Sequence, residues 1–173
     1  MDHTHRVVWT GERFSLDEAD GAWSARYRNE TGRGSGTTPS LMGFEPADDR
    51  FVVIGDGDEV VNITLFWRDR IPENWEQLPG APSRRIAGLG PAHMGDLTRT
   101  AIQTEQSITV SGYGAMTVNN DPGSLPDWLP ARGARRLCFF LGHHERFTPY
   151  GRHKYEWAPL TQTFREAWVA TDV

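Results

Sequence analysis

The sequence predicts an all-β chain, built as about two and a half four-stranded blades of a β-propeller that is a fragment of a larger one. Three observations predict it. Four short strand-like runs, separated by turn residues, fill residues 34–90. The two ends of the chain carry matching aromatic patterns. Seven tryptophans supply the large rings that blade-built proteins use to pack sheet on sheet.

The first stretch expected to be structured is a hairpin. Residues 13–17 place Phe14 and Leu16 on one face by alternation, and Asp20-Gly21 marks a tight turn. Residues 23–28 return, with Trp23, Ala25 and Tyr27 pointing one way. The glycine-rich stretch 32–38 leads into a complete blade. Its expected strands are 38–44, 51–54, 60–67 and 84–88, with turns at 45–50 and 55–59. Residues 71–82 form a loop with three prolines, where 73–77 suit a short helical turn and Trp75 is expected to tuck against the blade.

The last blade begins near Glu105. Residues 107–118 read as a strand interrupted at Gly112 and Gly114. Residues 136–141 form a short apolar strand holding Cys138, the single cysteine, and 153–157 and 164–170 finish the blade. The domain division is then 1–31, an outer hairpin; 32–100, a second blade; and 101–173, a third.

An offset of 141 aligns the two ends: Phe14 with Tyr155, Leu16 with Trp157, Trp23 with Phe164 and Tyr27 with Trp168. That offset is about three blade periods of roughly 47 residues. A rival pattern runs through Leu160, Phe164 and Trp168, whose spacing also suits an amphipathic helix. The match to the first hairpin favours strands. Two and a half blades do not close a ring, since propellers carry about 4–8. The expected partners are therefore the remaining blades of a longer chain or further copies of this one, with a small-molecule ligand.

Composition narrows the function classes. The net charge is −5 and Lys154 is the only lysine, so no basic face for nucleic acid is expected. The longest apolar run, 137–141, is far short of the ~20 residues of a membrane helix, so no membrane partner is expected. The start of the chain has no secretory pattern, and one cysteine excludes an intrachain disulfide framework. The stretch 32–38 lacks the lysine and following helix of a phosphate-binding loop. Ser35 and Ser111 lack the flanks of a nucleophile elbow.

The octet Leu16-Asp17-Glu18-Ala19-Asp20-Gly21-Ala22-Trp23 resembles the LDxxTGxxxW-like repeat at the outer hairpins of the quinoprotein-like β-propeller superfamily. Leu16, Asp17 and Gly21 match; Asp20 stands in place of Thr, and Trp23 arrives two residues early. Near the other end, Trp157-Ala158-Pro159-Leu160-Thr161 keeps the Thr and has Ala158 in place of Asp. In that superfamily the repeat locks blades together. The resemblance implies a propeller fold. The alternative to a binding module is part of a metal-dependent propeller enzyme, a quinoprotein-like oxidoreductase or a lactonase-type hydrolase, motivated by acids and histidines gathered on one loop face. Binding without catalysis is the first reading.

In a propeller, alternate connections share one face. Here that face collects 32–38, 56–59, 93–96, 104–105 and 143–153. Ser35, Thr37, Thr38, Glu105 and Arg146 are its candidate ligand-binding residues. Asp56 and Asp58, with His143 and His144, are its candidate metal ligands, for Ca²⁺ or another divalent ion. Glu59, His93 and His153 belong to the same rim. Asp56-Gly57-Asp58 is also a good turn sequence with no ligand at all.

Overall fold

The computed structural model of the protein describes residues 2–45, 48–104, 106–120 and 151–171. Among these it holds twelve strands and no α-helix. They are β1 (His3–Arg6), β2 (Val8–Trp9), β3 (Phe14–Ser15), β4 (Trp23–Arg26), β5 (Ser40–Met42), β6 (Phe51–Gly55), β7 (Asn62–Trp67), β8 (Ile86–Pro91), β9 (Thr109–Ser111), β10 (Gly114–Val118), β11 (Arg152–Ala158) and β12 (Thr163–Ala170). The chain is all-β. The strands form four antiparallel sheets: β5–β8 and β9–β12, each in sequence order, and the pairs β1–β4 and β2–β3.

The β5–β8 sheet is the middle layer. Ile63, Leu65 and Trp67 face the β9–β12 sheet and meet Ile108, Ala115, Tyr155 and Trp157. Phe66 and Ile54 face the other way, onto Trp23, Ala25 and Tyr27 of β4 and its extension. Every residue of β7 is buried as a result. A strand covered on both faces needs no polar alternation, and Asn62-Ile-Thr-Leu-Phe-Trp67 has little.

Aromatic rings fill the main interface. Phe51 lies 4.8 Å from Trp67 and 4.9 Å from Trp157, and Trp75 lies 5.3 Å from Trp67. Trp75 comes from the proline-rich loop and is buried, as the sequence suggests. The expected helical turn at 73–77 is a single hydrogen-bonded turn, with Trp75 N–H donating to Pro72 O. Two glycines let the sheets approach. A Cβ on Gly88 would meet the Phe164 ring at 2.7 Å, and one on Gly90 the Tyr155 ring at 2.9 Å. The aromatic faces of β11 and β12 thus rest directly on the β8 backbone.

Several expectations change. Residues 13–17 do not pair with 23–28. Instead β4 pairs with β1, and β3 with β2. The turn between them is a 3-10 turn, Glu18–Asp20, capped by the Asp17 side chain and closed by Gly21 at φ 87°. It swings Trp23 onto the middle sheet, where its indole N–H donates to Arg68 O at 2.8 Å. Arg85 covers the ring at 4.6 Å.

The aromatic match between the ends is therefore not a structural one. Phe14 and Leu16 are 75% and 70% exposed, whereas Tyr155 and Trp157 are 7% and 3%. Residues 107–118 are not one interrupted strand but a hairpin, β9 turning into β10 at Gly112. That hairpin completes a four-stranded sheet with β11 and β12. Residues 163–170 are a strand, which disposes of the helical reading. The expected strand at 136–141 lies outside the described residues.

Candidate functional site

Two ends of the middle sheet carry polar side chains. The first is the rim singled out by sequence, where β6 passes into β7. Asp56 and Asp58 sit there, but neither is a solvated turn residue: they are 2% and 4% exposed. Asn62, at the start of β7, donates its backbone N–H to Asp56 Oδ1 at 2.8 Å and its side-chain amide to Asp56 Oδ2 at 2.7 Å. The same amide nitrogen reaches Asp58 Oδ2 at 3.3 Å, and Arg28 pairs with that oxygen at 2.9 Å.

Burial pushes the Asp56 carboxyl up to about 7, against the lowering effect of the Asn62 donors. Burial raises Asp58 as well, opposed by the Arg28 charge. Gly57 lies tight beneath Asn29 and Gly34, and its N–H donates to Arg28 O. These contacts knit the 28–38 segment to the β6–β7 turn.

The other rim candidates divide. Ser35 Oγ accepts the Thr37 N–H at 3.2 Å, and Thr37 Oγ1 accepts the Gly55 N–H at 3.0 Å, so Thr37 anchors the loop to β6 and Ser35 braces Thr37. Thr38 is exposed. Glu105, His143, His144 and Arg146 lie outside the described residues. Among the described residues, no three His, Cys, Asp or Glu side chains gather to hold a metal ion. A hollow of about 320 Å³ lies over Asp58, bordered by Arg26, Arg28 and Glu30.

The second end lies at the opposite termini of β6 and β7. There a cavity of about 1020 Å³ is lined by the 48–50 turn, by Trp67 and by residues 69–73. Its polar groups are held in place from behind. Trp157 Nε1 donates to Asp49 Oδ2 at 2.8 Å. Asp69 pairs with Arg6 and Arg50, each at 2.8 Å. Asp48 accepts the Phe44 and Glu45 N–H groups, and those donors hold its carboxyl below the usual range. Trp67 Nε1 is buried and, among the described residues, has no hydrogen-bond partner. Arg70 and Glu73 are exposed at the mouth.

Sequence reasoning missed this cavity, as it missed Asn62 and Arg28. In the sequence, Asn62-Ile63-Thr64 matches a glycosylation sequon, a use that the burial of Asn62 rules out in the folded chain. A polar residue opening an otherwise apolar strand, four residues after an Asp-Gly-Asp turn, was the available signal.

No family model matches the chain, and no solved structure matches it. It is 36% identical over 173 residues to an uncharacterized protein of Archaeoglobus fulgidus. The match covers 96% of this chain and 32% of that relative, so the chain spans about a third of the relative's length.

Proposed function

We propose that the chain is a stretch of β-propeller acting as a binding scaffold, and that it holds a small hydroxyl-rich molecule in the cavity beside Trp67. The observation that carries this reading is the cavity itself. It is large enough for a ligand of sugar size and mixes acceptors with donors. Asp48, Asp49, Asp69 and Glu73 accept; Arg50 and Arg70 donate. A ligand bearing many hydroxyls uses both kinds of group at once. Because Asp49 and Asp69 are already fixed by Trp157, Arg6 and Arg50, binding need order few side chains.

The propeller part rests on two consecutive four-stranded meanders stacked face to face, with a third layer on the far side. The greater length of the archaeal relative leaves room for further blades. The remaining blades come from a longer chain or from other copies.

Saturation-transfer NMR with a panel of mono- and disaccharides tests the ligand. The expected result is contact with at least one, lost when Arg70→Ala and Glu73→Ala are combined, two exposed changes that leave the core intact. A panel without contacts, or contacts unmoved by the double change, overturns the reading. A crystal structure of the archaeal relative tests the architecture: four-stranded sheets around an axis are expected, and a closed two-sheet sandwich would overturn it.

A further inference from the structure

The segment 91–95 crosses the start of β11 and the end of β12, far from the Trp67 cavity, and three contacts pin it there. Tyr155 donates its hydroxyl to Pro91 O at 3.0 Å, and burial pushes that hydroxyl up to about 12, so it remains a donor at neutral pH. Gly151 lies under Met94, whose Cβ would be 2.5 Å from an added Cβ. Gly95 lies against the Thr171 side chain in the same way. His93 sits between these contacts.

On β11 in the same neighbourhood is His153, 2% exposed and stacked on Tyr155 with ring centroids 4.8 Å apart. Its Nε2 meets Glu166 Oε2 of β12 at 2.8 Å. Its Nδ1 is buried and, among the described residues, has no hydrogen-bond partner. The same holds for His93 Nδ1, and for the hydroxyl of Thr117, the residue directly opposite His153 on β10. One buried polar atom without a partner costs about 1–3 kcal/mol. Three in one neighbourhood call for an occupant.

The chemistry of the donors says which. With Glu166 accepting from Nε2–H, the neutral His153 ring carries its lone pair on Nδ1. Burial lowers the proton affinity of the His153 ring, opposed by the Glu166 carboxylate. Two imidazole nitrogens, one of them on a ring backed by a carboxylate, form a donor set for a first-row transition metal and a poor one for calcium.

We propose that His93 and His153 bind a divalent transition-metal ion through their Nδ1 atoms, with Glu166 as the positioning residue for His153. Two protein nitrogens leave the remaining coordination positions to Thr117, water or an exogenous ligand.

His3 and His5 form an exposed ring pair on β1, 6.1 Å apart, that would bind metal weakly by itself. The test therefore uses chelator-stripped protein carrying His3→Ala and His5→Ala. It is titrated calorimetrically with Zn²⁺ alone and then Ni²⁺ alone, and melted with and without each ion. One ion per chain and a rise in melting temperature are expected. Adding Glu166→Gln should weaken affinity roughly tenfold or more. Adding His93→Ala, on a half-buried loop, should abolish binding with the apo melting temperature nearly unchanged. No ion-dependent rise, or equal affinity in all three proteins, overturns the proposal. None of these outcomes touches the sugar-binding reading, whose residues lie at the other end of the sheet.

Discussion

Replacing Asp56 by asparagine should change the stability of this protein by an amount that depends on pH. Asp56 is 2% exposed, and burial pushes its carboxyl from 3.8 to about 7. Between those values the folded chain holds a proton that the unfolded chain has released. Stability from this group is therefore fully present below about pH 4 and is lost as pH rises towards 7. At ~1.4 kcal/mol per tenfold in proton affinity, the interval corresponds to about 4 kcal/mol. The substituted amide does not titrate. Its oxygen still accepts from Asn62 N–H, but its NH₂ faces the Asn62 side-chain amide, donor against donor. Urea unfolding of both proteins at pH 4, 5.5, 7 and 8 reads the difference. Asp56→Asn should be most destabilised at pH 4, with the gap shrinking by up to about 4 kcal/mol at pH 8. Subtracting the two curves cancels the carboxylates of Asp2, Asp48 and Asp96, whose partners lower them. A gap constant from pH 4 to 8 would show the Asn62 donors holding Asp56 charged throughout, and the burial argument would fail.

Three further changes and one control test the packing. Gly90→Ala puts a Cβ 2.9 Å from the Tyr155 ring and should cost about 1–3 kcal/mol in urea unfolding, whereas Gly80→Ala, with open space around it, strains only a left-handed turn. Trp157→Ala should cost about 3–5 kcal/mol, and because it also removes the donor to Asp49 it should lower any affinity at the cavity. Trp23→Phe keeps the ring on the middle sheet but loses the bond to Arg68 O, so a loss of about 1 kcal/mol in thermal unfolding is expected.

Much of the fold was legible in local patterns. The runs at 51–54 and 60–67 became β6 and β7, and those at 153–157 and 164–170 became β11 and β12, because β-branched and aromatic residues bounded by turns identify strands without knowledge of their partners. Pairing was less legible. Asp20-Gly21 looks like a hairpin tip, yet it closes a 3-10 turn, and β4 finds its partner at the start of the chain. Nothing local to Phe14 and Leu16 distinguishes an exposed strand from one packed like Tyr155 and Trp157. At the site, the acids of the β6–β7 turn were visible as residue types. Their fate depends on Asn62 and Arg28, which only the register of β7 and the path of the 28–38 segment bring within reach. The Trp67 cavity joins two loops about twenty residues apart, and neither carries a pattern that announces it. His153 and Glu166 are set beside one another by a strand pairing with a bulge, which no spacing in the sequence encodes.

Trp157 has a consequence for how the chain is made. It caps Phe51, Trp67 and Trp75 and is hydrogen-bonded to Asp49, 108 positions earlier. During synthesis those three rings emerge long before the indole that covers them. Until β11 leaves the ribosome, the nascent polypeptide displays an unshielded aromatic surface, the kind of surface that chaperones bind and that seeds aggregation. Vectorial folding of the middle sheet by itself is thus disfavoured, and the two large sheets must mature together, late and cooperatively.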